Sequence, residues 1–185
     1  MLAIISQLLT AFGLATASGL NAYIPLLIVA LTARFTTLLK LNAPFDILTN
    51  EWVIGALGVL LAIEIVVDKI PAADTLNDII QTFIRPTAGA ILFAASANAI
   101  TDLHPAFAAI LGLILAFGVH AVKSAARPVV TTTTGGIGNA FVSVGEDIAS
   151  TALSFSAILA PAIIGLIIAL ILVIVMWRVL IPREA

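Results

Sequence analysis

The charged side chains of this sequence fall at spacings that would bring them together. Glu64 and Asp68 are four residues apart and would share one face of a helix, where two carboxylates repel each other unless a cation lies beside them. His120, Lys123 and Arg127 follow one another at spacings of three and four, which makes a basic stripe on one helix face. The two stripes predict a buried network of acids and bases, with Glu64 facing His120 as a candidate pair.

Each of these charges also has an ordinary structural explanation. Lys123 and Arg127 could extend their charged ends to anionic lipid headgroups, and His120 could be a packing residue with satisfied ring nitrogens. Glu64 lies about one turn inside its apolar segment, where an unpaired charge costs several kcal/mol. We therefore favour a functional role for Glu64.

A second acidic stretch follows along the chain. Asp74, Asn77 and Asp78 would lie on one side of an amphipathic segment that Arg85 closes. Solvated acids on an interfacial helix are the alternative explanation for Asp74 and Asp78. Lys69, just before this segment, would lie at the same side of the membrane as the basic stripe.

A run of threonines and glycines, residues 131–136, lies between the basic stripe and the next apolar segment. Its β-branched residues and paired glycines favour an extended, non-helical passage. The free amides of the helix that follows, with hydroxyls such as those of Thr133 and Thr134, predict an anion site near Lys123 and Arg127. A plain polar loop is the alternative, and a P-loop is excluded because no Gly-Lys-Ser/Thr follows.

The segment 137–159 carries a third polar group. Glu146 and Asp147 are adjacent near its middle, so on a helix they point about 100° apart and need separate neighbours. A protonated member would be a proton carrier; a structural ion pair is the alternative, and the two acids are not separable at this stage. Asn139, in Asn-Ala-Phe, echoes Asn21 in Asn-Ala-Tyr.

The elements that hold these charges must be membrane helices. The chain is 62% hydrophobic and 10% charged, whereas soluble domains carry about 25% charged residues. Its mean hydropathy is +1.22. The charges are separated by apolar runs of the length that a helix needs, about 20 residues, to cross about 30 Å of hydrocarbon. A water-soluble fold is excluded.

We predict an all-α fold, a polytopic transmembrane helix bundle of about six spans with broken or re-entrant segments. The predicted spans are residues 2–33, 52–67, 86–100, 105–122, 137–159 and 161–180. The first is long for a plain crossing and the third is short, so we expect either to be broken, tilted or completed by flanking residues.

We expect one integral membrane domain, residues 1–185. A faint internal similarity predicts repeat units 52–104 and 105–158, flanked by spans 2–33 and 161–180. A duplicated helix pair is a feature of transporter folds. Chance similarity in a chain rich in alanine and leucine is the alternative.

Basic residues predict the orientation. With the N-terminus in the cytoplasm, six of the eight Lys and Arg residues would fall on the cytoplasmic side, as the positive-inside rule prefers. We therefore expect a multi-pass protein of the cytoplasmic (inner) membrane, with both termini in the cytoplasm.

Several of these residues also form short motifs. The motifs are Gly19-Leu20-Asn21-Ala22-Tyr23, Asp68-Lys69-Ile70-Pro71 followed by Asp74, Arg85-Pro86 with Gly89, and Lys123 leading to Arg127-Pro128 and the threonine and glycine run. Together they resemble the bacterial membrane family catalogued as domain of unknown function 4126, over most of the chain. The resemblance implies a polytopic topology. It implies no substrate and no catalytic residue, because that family has no assigned activity.

Three functions fit these features, and we favour the first. It is a small membrane transporter or channel-like protein whose buried charged site is proton-coupled or binds an anionic solute. The second is a non-catalytic scaffold or accessory subunit whose ion pairs only specify helix packing. The third is a metal-dependent enzyme acting on lipid phosphates, with Asp68, Asp74 and Asp78 as oxygen ligands; the spacing typical of CDP-alcohol phosphotransferases is absent.

For the transport function we assign the binding residues as follows. The primary set is Glu64, Asp68, His120, Lys123, Arg127, Thr133, Thr134, Asn139, Glu146 and Asp147, and the secondary set is Asn21, Lys69, Asp74, Asp78 and Arg85. A water-accessible cavity that reaches Glu64, Lys123 and Glu146 would favour transport, whereas dry and fully paired charges would favour a scaffold.

The remaining expectations concern partners and chemistry. The chain has no cysteine, which excludes disulfides and thiol chemistry, and no basic patch indicates nucleic acid. We expect no cofactor, no resident metal and no catalytic residue. The expected partners are the lipid bilayer, a small solute or ion, and either a second copy of the chain or another membrane protein.

Overall fold

The computed structural model describes residues 1–68, 71–97 and 103–180, with side chains for all of these except 71–76, 172 and 175–180. Within these ranges the chain forms seven α-helices and one 3-10 helix. They are α1 (Leu2–Leu20), α2 (Tyr23–Phe35), the 3-10 helix (Phe45–Thr49), α3 (Glu51–Val67), α4 (Pro71–Ala97), α5 (Pro105–Thr134), α6 (Ile137–Leu159) and α7 (Pro161–Leu180). The predicted all-α fold is confirmed.

The protein is a membrane protein by the length and composition of its helices. Among the described residues, four helices are long and apolar enough to cross a bilayer: α1, residues Asn77–Ala97 of α4, α5 and α6. Shorter apolar helices are α2 and the first part of α7, Pro161–Ile171. Large apolar side chains such as Phe107, Ile114 and Phe141 are exposed on the outer faces, where lipid would contact them. The number of long and shorter apolar helices is roughly consistent with the six predicted spans.

The first predicted span is broken, as expected, and its two parts double back on each other. Asn21 is extended, with φ −145° and ψ 127°, between α1 and α2. Its side-chain oxygen accepts the backbone N–H groups of Tyr23 and Ile24 at 3.0 and 3.1 Å, which caps the start of α2. Ser6 near the start of α1 and Thr37 after α2 line the same cavity, so α2 returns toward the end of the bundle where α1 begins.

This return changes the topology on which the predicted orientation rested. Arg34 pairs with Glu51 at 2.5 Å at the start of α3, and Lys40 lines the same cavity as Ser6. The orientation was predicted on the assumption that residues 2–33 cross the membrane once, which would put Arg34 and Lys40 on the side opposite the N-terminus. That assumption is wrong, because α2 returns toward the start of α1. The count of basic residues therefore no longer supports a cytoplasmic N-terminus.

α4 is longer than the predicted third span, residues 86–100. The helix begins at Pro71 and continues through Pro86 to Ala97, so the amphipathic segment and the apolar segment form one helix. α4 packs against α5 and α1. Where α4 meets α5, Gly89 and Gly112 lie face to face, and a Cβ atom on either one would overlap the backbone of the other. Their backbones therefore touch, as small residues allow in membrane bundles.

The predicted extended passage after the basic stripe is wrong, because α5 continues helically through Pro128 to Thr134. The threonine hydroxyls donate to backbone carbonyls one turn earlier, as Thr133 does to Val129 at 2.7 Å, which satisfies them within a helix. The helix ends only at the two glycines, whose φ values of 61° at Gly135 and 88° at Gly136 are left-handed. Glycine is common at helix ends for this reason.

α1 lies at the centre of the bundle and packs against α4, α5, α6 and α7. Its Leu14 is fully buried, as is Phe93 of α4, and the ring of Phe93 meets that of Phe12 edge to face at 5.2 Å. Gly13 lets Ala157 of α6 come within packing distance. This apolar packing fills the region along α1, and the buried charges begin where α1 ends.

Candidate functional site

A set of buried and half-buried titratable side chains, with two asparagines, gathers around the break between α1 and α2. We call this set the polar cluster, and its described members are Asn21, Glu64, Asp68, Asp78, Arg85, His120, Lys123, Arg127, Asn139, Glu146 and Asp147. His120 lies near the middle of α5, about 21 to 23 Å from either end at 1.5 Å per residue. Exposed apolar side chains flank it along the same helix, Phe117 before it and Val129 after it. The cluster therefore lies inside the apolar belt of the bundle.

Arg85 joins Glu64 and His120 in the driest part of the cluster. Its side chain is 0% exposed and that of Glu64 is 1% exposed. The Arg85 Nη2 donates to Glu64 Oε1 at 3.0 Å, and its Nη1 lies 3.1 Å from His120 Nδ1. The predicted direct pair of Glu64 with His120 is wrong, because the guanidinium lies between them.

The contacts of His120 assign its proton. A guanidinium has no acceptor, so His120 Nδ1 must accept from Arg85 and the ring proton must lie on Nε2. Nε2 lies 3.0 Å from Thr82 Oγ1, whose own hydrogen goes to the backbone oxygen of Asp78 at 2.8 Å. Ser124 Oγ lies 3.3 Å from the same nitrogen. The ring is thereby held as the Nε2–H tautomer with two polar neighbours.

Lys123 connects the basic stripe to α6 and to the broken end of α1. Its Nζ lies 2.7 Å from Glu146 Oε2 and donates to the backbone oxygen of Leu20 at 3.1 Å. The last carbonyls of a helix lack internal partners and carry partial negative charge, so a lysine suits this position. Lys123 therefore stabilises the end of α1 as well as a carboxylate.

Arg127 has the most carboxylate neighbours of the described cations. Its Nη2 lies 3.1 Å from Glu146 Oε2 and 3.8 Å from Asp68 Oδ2, and its Nη1 lies 3.6 Å from Asp78 Oδ2. It also donates to Ser143 Oγ at 2.9 Å. One arginine thus draws together carboxylates from α4, α6 and the end of α3.

The two adjacent acids of α6 face different partners, which separates them as the sequence could not. Glu146 binds Lys123 and Arg127, whereas Asp147 Oδ1 accepts from the side-chain nitrogen of Asn21 at 2.9 Å. Asn21 therefore bridges Asp147 and the backbone of α2. The broken helix pair and α6 are joined through this amide.

The threonine run contributes less than the sequence indicated. Asn139 Nδ2 donates to Thr131 Oγ1 at 2.9 Å across the turn between α5 and α6, and the Thr131 hydroxyl donates to the backbone oxygen of Arg127 at 2.9 Å. Thr133 and Thr134 are exposed, and both donate to carbonyls of their own helix. The backbone N–H of Gly138 already donates to the Thr134 hydroxyl at 3.0 Å. These groups have partners within the two helices, and the anion site at them stays a prediction.

Two predicted residues lie outside the described parts. Lys69 and the side chain of Asp74 are not among the described residues. Within the described residues, no group of three or more His, Cys, Asp or Glu side chains is placed to hold a metal ion. Sequence reasoning missed Thr82 and treated Arg85 as a helix terminus, although Asp78, Thr82 and Arg85 follow the helical spacing of four and three.

Two cavities approach the bundle from its opposite ends. The first, about 470 Å³, reaches the polar cluster and is lined by Asp78, Thr82, Ser124, Arg127, Thr131 and Asn139. Its lining does not include Glu64, Lys123 or Glu146. The second cavity, also about 470 Å³, lies where α1 begins and is lined by polar residues that include Ser6, Gln7, Lys40 and Ser96.

Comparison with known proteins places the chain in a family. No curated protein and no solved structure matches it. The profile described as "Domain of unknown function (DUF4126)" matches residues 8–180, which confirms the resemblance that the motifs indicated. That match includes every described member of the polar cluster, and on this evidence the chain belongs to the DUF4126 family.

Proposed function

We propose that this protein is a small membrane transporter in which the polar cluster binds a proton or a small solute. The observation that supports it best is the placement of the cavities. One reaches Arg127 and Asp78 within the cluster, and the other reaches Gln7 and Ser96 at the opposite end. Transporters bind their solutes beside broken helices, and the break at Asn21 lies next to the cluster, because Lys123 donates to the last carbonyl of α1.

The charges of the cluster support coupling to protons. Its described carboxylates are Glu64, Asp68, Asp78, Glu146 and Asp147, and its described cations are Arg85, Lys123 and Arg127. Carboxylates therefore outnumber cations, five to three. An uncompensated charge inside a membrane protein is costly, so bound protons or a bound cation would balance the excess.

Two carboxylate oxygens are candidate proton positions. Glu64 Oε2 and Asp78 Oδ1 are buried and have no hydrogen-bond partner among the described residues. A proton on Glu64 would weaken its attraction to Arg85, and the guanidinium would then be free to turn toward another acceptor. In this proposal, Glu64 and Arg85 couple proton binding to a rearrangement of α3 against α4.

The test is proton uptake by purified protein in liposomes that enclose a pH-sensitive dye. We expect Glu64→Gln and Lys123→Ala to reduce uptake at least tenfold. The matched control is Glu51→Gln, which removes an exposed acid at the far end of the same helix. Variants should be compared only if they elute as folded protein. Uptake unchanged by Glu64→Gln would reject the assigned site.

A scaffold or accessory subunit is the second candidate, and one observation favours it. The ion pair of Glu64 with Arg85 is dry, and the described linings of the two polar cavities do not include Glu64, Lys123 or Glu146. Buried ion pairs of this kind can specify how helices pack without any further role. Under this alternative the wild-type protein would show no uptake above empty liposomes, while Glu64→Gln would still lower its thermal stability.

We place the protein in the cytoplasmic membrane, and its orientation can be measured directly. Because the chain has no cysteine, single cysteines can be introduced at exposed positions and labelled with a membrane-impermeant reagent. We expect Thr37→Cys to share the sidedness of Leu2→Cys, and Thr133→Cys to be labelled from the opposite side. Labelling of Thr37→Cys and Leu2→Cys from opposite sides would contradict the returning path of α2.

A further inference from the structure

An apolar groove of about 600 Å³ lies between α2, α3 and α6, apart from the two polar cavities. Its walls include Ile24, Leu27, Leu61, Ile65 and Phe155. Asp147 is the one charged residue of its lining. A volume of this size suits an organic molecule of moderate mass.

Asp147 lies deep in the bundle, not at its edge. It is near the middle of α6, about 15 Å from Ile137 and about 18 Å from Leu159 at 1.5 Å per residue. The neighbouring residue, Ile148, is apolar and 64% exposed. A solvated position at the membrane surface therefore does not explain this carboxylate.

The described partner of Asp147 is neutral. Its Oδ1 accepts from the amide of Asn21 at 2.9 Å. Lys123 of α5 attracts Asp147 at longer range, but its ammonium is bound to Glu146 and to Leu20. Among the described residues, the end of α3 adds another acid, Asp68. Asp147 thus forms part of the groove wall without a described ion pair of its own.

Thr151, the other polar residue of the groove lining, does not bind the Asp147 carboxylate. Thr151 donates its hydroxyl hydrogen to the backbone oxygen of Asp147 at 2.8 Å, so it gives nothing to the carboxylate. A lipid acyl chain could fill the groove but would leave the charge facing hydrocarbon, which is costly. An occupant that is apolar in its body and positive in its centre matches both the walls and the carboxylate.

We infer that this groove binds hydrophobic organic cations, with Asp147 as the residue that neutralises their charge and Asn21 as the residue that positions it. This assignment names a substrate class for the proposed transporter, and it rests on that proposal only for its role in transport. Binding itself requires the groove and the carboxylate alone.

Equilibrium binding of tetraphenylphosphonium to the detergent-solubilised protein tests the inference. This ion is permanently charged and fully apolar at its surface. We expect saturable binding to the wild-type protein and at least tenfold weaker binding to Asp147→Asn, whose amide oxygen can still accept from Asn21. Tetraphenylborate, of similar size and opposite charge, should not compete.

Two further variants separate the groove from the charge. Ala152→Phe places a ring in the groove without altering any charge, and it should abolish binding. Glu51→Gln removes a distant exposed acid and should leave binding unchanged. Equal binding by Asp147→Asn, equal competition by tetraphenylborate, or no binding by the wild-type protein would each overturn the inference.

The result is independent of the flux measurement. Loss of proton uptake in Glu64→Gln with retained tetraphenylphosphonium binding would support both proposals. Binding without any uptake in the wild-type protein would support the groove and reject the transporter. Uptake without binding would reject the groove alone.

Discussion

Arg85 of α4 and Arg127 of α5 both precede a proline inside an uninterrupted helix, but their surroundings differ. Arg85 is 0% exposed and has one carboxylate, Glu64, at 3.0 Å. Arg127 is 7% exposed, lies within 4 Å of three carboxylates and lines a cavity. The first arginine has a dedicated partner, whereas the second shares its charge among several.

The difference indicates different roles for the two arginines. Removing one partner of a dry pair leaves an uncompensated buried charge, which is strongly destabilising. Removing Arg127 leaves two of its three carboxylate neighbours with other partners, because Glu146 retains Lys123 at 2.7 Å and Asp68 retains Asn77 at 2.8 Å. We therefore expect Arg85 to contribute mainly to the stability of the fold and Arg127 mainly to proton uptake through the cavity that it lines.

The largest expected effect comes from Arg85→Met. Glu64 would stay buried without its cation, and His120 would lose the donor to Nδ1, so we expect a loss of about 3 to 5 kcal/mol in the free energy of unfolding. Thermal unfolding of the purified variant in detergent measures it.

The double variant Glu64→Met, Arg85→Met provides the control. Removal of both charges should restore most of the lost stability, because the penalty comes from the unpaired ion and not from the absence of the pair. A double variant as unstable as Arg85→Met would show that Arg85 acts through contacts other than Glu64.

The second largest loss of stability is expected from a change where α4 crosses α5, the contact that positions Arg85. A larger side chain at Gly112 would overlap Gly89 and push α4 away from α5. We expect Gly112→Leu to lower the free energy of unfolding by about 1 to 3 kcal/mol, as overpacking does. Gly118→Leu is the matched control, because a Cβ atom at Gly118 meets nothing within 4 Å. Equal losses from both substitutions would argue against close backbone contact.

The sequence predicted which residues share a helix face, because that depends only on the helical period. The faces of Glu64 with Asp68, and of His120 with Lys123 and Arg127, follow from spacing alone. The pairing across helices could not be predicted in the same way. It depends on where α4 crosses α5, and that is set by a two-residue contact between distant positions, Gly89 and Gly112.

Arg85 was undervalued for a local reason. A residue before a proline is biased away from helical backbone, which indicates a helix end. In the structure α4 continues through Pro86, so Arg85 lies inside a long helix and faces the centre of the cluster. The return of α2 could not be predicted either. The length of residues 2–33 indicated a break, tilt or completion of the first span, but the direction of the chain after the break depends on packing.

A smaller loss of stability is expected for Arg127→Gln. Glu146 keeps Lys123, and Asp68 keeps a hydrogen bond from Asn77 at 2.8 Å, so we expect a loss of about 1 to 2 kcal/mol in the free energy of unfolding. Proton uptake in liposomes should fall even when it is normalised to the amount of folded protein, because Arg127 lines the cavity that reaches the cluster. A loss as large as that of Arg85→Met would remove the distinction between the two arginines.

The smallest effect is expected for Arg34→Gln, which tests whether burial, and not the ion pair itself, makes Arg85 important. Arg34 pairs with Glu51 at 2.5 Å, a shorter distance than that of Glu64 from Arg85, but the Glu51 side chain is 78% exposed. Water can replace the lost partner there, and exposed pairs contribute about 0 to 1 kcal/mol. Arg34 also donates to the backbone oxygen of Thr49 at 2.6 Å, so Glu51→Gln isolates the ion pair more cleanly. If Glu51→Gln proved as destabilising as Arg85→Met in thermal unfolding, the distance between the charged atoms, and not their burial, would determine how much each pair contributes to stability.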